Sequence, residues 1–206
     1  MLKKLNFSKK GFELAIIFGL LCAIFWSVAD FNASCEQLRK NVLRLHIVAN
    51  SDSKADQALK LKIRDRILEE SKGTFEGITD KEEAIRKARI SLDKFENIAN
   101  AVIEENGFPY KARVKIGKAY FETREYENFT LPAGSYESLV IKLGKAEGKN
   151  WWCVIFPQVC LPAASDADLS DSVNDSGVRV AENPKNYEVR FKVVEIYEGI
   201  KHFLFG

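Results

Sequence analysis

Near its start the chain carries an uncharged apolar run, Leu14 to Ala29, preceded by Lys3, Lys4, Lys9 and Lys10 and bounded by Glu13 and Asp30. Such a run seeks lipid, and the basic residues before it keep that end on the cytoplasmic side of a membrane. Everything after it is therefore expected on the far side. The run is 16 residues long by position, or about 24 Å at the helical rise, against a hydrocarbon core of about 30 Å. That length suits a signal peptide, and Ser27 and Ala29 place small residues where a signal peptidase cuts. Phe12 and Phe31 extend the apolar ends and the flanking lysines can snorkel, so an uncleaved signal anchor is also workable. The expected organisation is a signal peptide or transmembrane anchor over 1–30, a linker over 31–40 and one exported domain over 41–206.

Charge sharpens this division. The chain has 31 basic and 29 acidic residues, and the four lysines that precede the apolar run account for the excess. The exported part is near neutral, with both signs interspersed, and offers no electrostatic footprint for nucleic acid. Its length suits a single domain with a proper core. Cys22 lies in the apolar run and Cys35 just beyond it, which leaves Cys153 and Cys160 in the domain. Outside the cytoplasm this pair can close a small disulfide loop around Pro157. Two free buried thiols are the alternative, since a strand running straight to Cys160 would hold them too far apart. With only His46 and His202 as histidines, no Cys and His cluster at metal spacing exists, and no metal or other cofactor is expected.

Hydrophobic spacing predicts an α+β domain: a mixed sheet packed by two or three helices and preceded by the N-terminal apolar helix. Val42 to Val48 reads as a strand ending at the turn residues Asn50, Ser51 and Asp52. Ser53 and Asp56 then open a helix with Leu59, Ile63 and Ile67 on one face, ending at Gly73. Thr79 and Glu82 read as a capping box for a second helix, its stripe running Ala84, Ala88, Leu92, Phe95, Ala99 and Val102 up to Gly107. Beyond Pro109 the period changes to two. Tyr110 to Ile116 and Tyr120 to Tyr126 are expected as a hairpin turning at Gly117 and Lys118. Leu139–Leu143 and Trp151–Phe156 are expected as two more strands joined by an exposed hairpin loop, Gly144 to Asn150. Residues 163 to 177 have almost no apolar content, and a mobile loop is expected over about 163–186. The segment 187–201 fits either period; its length favours a helix.

Little in the chain suggests catalysis. The acidic pairs Glu69–Glu70 and Glu104–Glu105 are adjacent on helices and point apart, and no phosphate-cradling glycine loop or Gly-x-Ser-x-Gly elbow is present. His46 shares a strand face with Arg44 and Val48; as a base it would need a nucleophile such as Cys153 or a serine within reach. Arg44, His46, Asn50, Ser51, Asp52, Trp151 and Trp152 are the candidate partner-binding residues. The turn after the first strand presents helix-start donors, although simple capping explains it more readily. The two tryptophans face opposite sides of a strand, so that either one lies at the surface, where it can serve as an aromatic anchor for a partner, or both pack under neighbouring elements.

Several blocks together resemble the stage II sporulation protein R family. These are Leu43 to Ser53, Asp56 to Lys60, Arg64-Asp65, Leu131-Pro132-Ala133-Gly134 with Tyr136, and Asn150 to Val154 with Phe156, Pro157 and Cys160. The resemblance implies a signal of endospore-forming bacteria, made in the forespore and exported into the space facing the mother cell. Its partner would be a membrane-embedded aspartic protease, which on activation cleaves a mother-cell sigma factor precursor. No catalytic residue is implied. The competing class is a small extracytoplasmic hydrolase that uses His46.

Overall fold

The computed structural model describes residues 9–126, 129–157, 181 and 187–205. Its first element, α1 (Lys9–Asn41), is one unbroken helix about 50 Å long at the helical rise. Its N-terminal two-thirds are exposed and apolar, including Phe18, Phe25 and Trp26, and by length and composition the helix can cross a membrane or act as a signal sequence. The expected linker over 31–40 is instead the continuation of this helix. Phe31, Cys35 and Leu38 recur at helical spacing and are buried, so packing against the domain keeps the segment helical.

The strand β1 (Leu43–Val48) follows almost at once. Helix α2 (Lys54–Phe75) is capped by Ser53, whose hydroxyl accepts from the Asp56 amide at 3.1 Å. Leu59, Ile63 and Ile67 are buried as their spacing predicts. The helix passes Gly73 because Phe75, two residues on, also reaches the core. The single helix expected next is divided at Ser91 into α3 (Lys81–Ile90) and α4 (Leu92–Glu105), and its cap is Asp80 rather than Thr79, accepting from the Glu83 amide at 2.9 Å. The stripe is kept across the break: Ala84, Ala88, Phe95, Ala99 and Val102 are all buried in the core.

Two expected hairpins are absent. β2 (Ala112–Phe121) runs straight through Gly117 and Lys118 and pairs antiparallel along its whole length with β5 (Gly134–Leu143), from Ala112 opposite Leu143 to Phe121 opposite Gly134. The chain reverses in the connection between them, which holds the short ladder of β3 (Arg124–Glu125) and β4 (Thr130–Leu131). β6 (Asn150–Phe156) does not pair with β5. β1 lies between them, parallel to β5 and antiparallel to β6, giving the sheet order β2-β5-β1-β6. A central β1 can satisfy both edges of its backbone only with two neighbours, and it is buried on both faces apart from the half-buried His46.

The sheet is covered on both sides. Leu43, Leu45 and Ile47 pack with α2, α3 and α4, while Val42 and Val154 pack with Phe31, Cys35 and Leu38 of α1. The last helix, α5 (Glu188–Phe205), joins this second layer through Phe191 and Val194, so the segment ambiguous by period is helical. The fold is α+β, with five helices and a mixed four-stranded sheet among the described residues. The loop expected over 163–186 lies, except for Ala181, outside the described residues.

Candidate functional site

The seven candidate residues separate into three places. Asn50, Ser51 and Asp52 form a hydrogen-bonded hub at the β1–α2 turn. Asp56 is buried there and accepts from Asn50 Nδ2 at 3.0 Å, Ser51 Oγ at 2.5 Å and the Tyr110 hydroxyl at 2.6 Å. Burial pushes its carboxyl upward, but the bonds from Ser51, Tyr110, Asn50 and Ser53 outweigh it and hold the pKa below the ordinary value. The β5–β6 connection is tied to the same turn. The Lys145 amide donates to Asn50 Oδ1 at 3.0 Å, the Gly148 amide to the Ala49 carbonyl at 2.9 Å and the Lys149 amide to Asp52 Oδ1 at 2.7 Å. A side chain at Gly148 would collide with the Ser51 carbonyl. Gln57 donates to the Ser51 carbonyl at 2.9 Å, and Lys60 donates to Gln57 Oε1 at 2.6 Å and to the Lys149 carbonyl at 3.0 Å. The polar groups of this block thus satisfy one another, as a turn that places β6 beside β1 requires.

Arg44, His46 and Trp152 share the sheet face under α1 and α5. The Arg44 guanidinium is fully buried, 3.8 Å from the centroid of the Phe121 ring and 4.9 Å from that of Tyr136. Nη2 donates to the Tyr126 hydroxyl at 2.6 Å, whereas Nε and Nη1 have no hydrogen-bond partner among the described residues. Burial lowers its pKa and the two tyrosines oppose that shift. His46 stacks on Trp152 with centroids 4.1 Å apart, and Nε2 lies 3.0 Å from Asn150 Oδ1. Burial lowers the His46 pKa, with Lys142 and Arg44 adding to the shift and the Asn150 bond opposing it. The neutral ring is therefore favoured.

Trp151 lies on the opposite face, half-buried against the α2–α4 core, with the Arg64 guanidinium 4.3 Å from its ring. Neither tryptophan is exposed, and both pack under neighbouring groups: Arg64 covers Trp151, and His46 with Phe121 covers Trp152. Cys153 stands opposite Leu45 in the β1–β6 register and is buried on the α2–α4 side. Successive residues of a strand point to opposite faces, so it lies across the sheet from His46. Cys160 is outside the described residues. Cys35, on the His46 side of the sheet, is buried and its thiol is pushed up to about 12 by that burial. No hydrogen bond joins His46 to a serine, threonine or cysteine among the described residues. A groove of about 700 Å³ between β3–β4 and α5, lined by Thr130, Glu188, Lys192 and Glu195 among others, brings together both signs of charge.

Sequence reasoning missed the aromatic box around Arg44, because Phe121, Tyr126 and Tyr136 are 77 or more positions away in the chain by number. Tyr136 alone gave a signal, standing two residues beyond Leu131-Pro132-Ala133-Gly134. The same is true of Arg39, whose Nη1 donates to the Ala133 carbonyl at 2.8 Å and whose Nη2 lies 3.6 Å from Glu198.

A sequence model of the stage II sporulation protein R family matches residues 39–166. The chain is 40% identical over 133 residues to the stage II sporulation protein R of Bacillus subtilis (strain 168), a match covering 65% of this chain and 59% of that protein. No solved structure matches. The matched stretch begins at Arg39 and takes in the Asp56 hub, the Arg44 box and the His46–Trp152 stack, and on that extent the chain belongs to the stage II sporulation protein R family.

Proposed function

We propose that this protein is an exported signal of sporulation that activates a membrane-embedded aspartic protease, which then processes the precursor of a mother-cell sigma factor. In this reading the chain crosses the forespore membrane and presents its domain in the intermembrane space, either held by α1 or released by cleavage within it. One observation carries the proposal: the family match extends over the sheet face and the turn alike. The site geometry supports a binding role. His46 is engaged by Trp152 and Asn150 and is set across the sheet from Cys153, an arrangement that suits recognition better than proton transfer to a nucleophile.

The test is reconstitution of precursor processing in a heterologous cell holding the protease and the precursor, with and without this protein. Processing should depend on its presence and on its export. Processing that proceeds equally well without it, or with a variant trapped in the cytoplasm, would overturn the proposal.

A further inference from the structure

Helix α5 buries one face and leaves the other without cover. Its inner face is Phe191, Val194 and Glu198. On the far side Val189, Val193, Ile196, Ile200 and Phe203 are exposed, from 41% at Val193 to 88% at Phe203. These five recur at intervals of 4, 3, 4 and 3 by position, the spacing of a coiled-coil seam. Two heptads are too short to hold a free helix. Here the helix is already folded against its own domain, and the seam has only to pack.

Direction decides what covers it. Phe31 of α1 meets Tyr187 and Phe191 at ring distances of 5.4 and 5.1 Å, and Arg39, two turns further along α1, meets Glu198. The two helices are therefore parallel, and α5 starts level with the end of the apolar stretch of α1 and runs away from it. Ile196 to Phe203 then lie about 8 to 18 Å beyond that level, outside the leaflet that would hold Leu14 to Ala29. Two copies anchored by α1 in one membrane, however, present their α5 helices side by side and parallel. Their seams are small beside the roughly 1,200 Å² of a stable solution complex, a deficit that tethering in one plane offsets by raising effective concentration.

We infer that the outer face of α5 is a self-association surface, through which two membrane-anchored copies pair in a parallel contact. The inference rests on reading α1 as a retained anchor. It is tested with the full chain in membranes, carrying Cys22→Ala to silence the exposed thiol of α1 and one new cysteine at a time: Ile196→Cys or Ile200→Cys in the seam, Lys201→Cys off it. Oxidation should link the seam variants to themselves at least fivefold more than Lys201→Cys, and adding Val193→Glu should abolish the link. Equal linking at all three positions, or none, overturns the pairing. So does a link formed only to the co-expressed protease, or a seam thiol shielded from water-soluble reagent without dimer, as lipid burial would give. Carbonate extraction of the same membranes reports separately whether α1 anchors the chain. Release of the chain would sink the anchor reading, and the cross-link in the released fraction still decides the seam.

Discussion

His46 and Trp152 lie directly opposite each other on β1 and β6, their rings stacked 14° from parallel. This pair distinguishes a ligand from an enzyme. Replacing His46 by Gln keeps a polar group able to reach Asn150 and removes any base, at a stability cost of about 1 kcal/mol from the lost stack. Activation of precursor processing should remain near wild type. Trp152→Ala removes far more surface and should cut activation at least tenfold in a variant shown by circular dichroism to be folded and by fractionation to be exported. Abolition by His46→Gln with normal activity for Trp152→Ala would favour the hydrolase.

Asp56 is the residue on which the β1–α2 turn depends, since three side chains donate to its carboxylate. Asp56→Ala leaves Asn50, Ser51 and Tyr110 without their acceptor and should cost about 2 to 4 kcal/mol. Urea unfolding of the detergent-solubilised protein measures it. A loss under 1 kcal/mol would mean that water replaces the carboxylate and that the hub is not what holds the β5–β6 connection.

Acid should lower the stability of the protein over two separate pH ranges. His46 has its folded pKa below the ordinary 6.5, so the unfolded chain takes up the proton first and stability falls as pH drops from 6.5 toward the folded value. Asp56 has its folded pKa below 3.8; its contribution is intact above 3.8 and is lost as pH falls through the folded value. Midpoints of urea unfolding between pH 7 and 3 should show both declines, with the first missing in His46→Gln. An unchanged upper decline in that variant would assign it to another group.

The helices were legible because their cues are local. Ser53 and the Leu59, Ile63, Ile67 spacing fix α2, and Ala84 to Val102 fix the stripe shared by α3 and α4. Strand partners were not legible. Leu139–Leu143 and Trp151–Phe156 look like a hairpin because seven residues separate them by number, yet β1, nearly a hundred residues earlier, inserts between them through pairings that leave no local mark. The candidate site was read in the same proportion. Asn50, Ser51 and Asp52 announced a turn and are one, whereas the box around Arg44 is built by distant strands. Residues 31–40 were misread because charged Glu36, Arg39 and Lys40 masked the buried Phe31, Cys35 and Leu38.

The pairing of Cys153 with Cys160 remains a proposal, drawn from an extracytoplasmic setting and the spacing around Pro157. Closing so short a loop should contribute at most about 2 to 3 kcal/mol. Intact mass of exported protein, alkylated before and after reduction, should reveal two additional labels after reduction. Full labelling of both thiols without reductant would show that packing alone shapes this segment.

Gly134 tests how α1 is fastened to the sheet. Its φ of +145° is one that side-chain-bearing residues rarely adopt, and a Cβ built there would stand 2.7 Å from Cδ of Arg39. That arginine donates to the neighbouring Ala133 carbonyl and pairs with Glu36 and Glu198, so it links α1, the start of β5 and α5 at one point. Gly134→Ala must either strain the backbone or displace Arg39, at a cost of about 2 to 3 kcal/mol. Displacement would free the packed end of α1 while leaving the α2–α4 side of the sheet intact. Hydrogen exchange should then rise in residues 31–41 and 187–205 of the variant, with little change in 54–105. Uniform loss of protection across both layers would show that the sheet, and not the Arg39 junction, bears the strain.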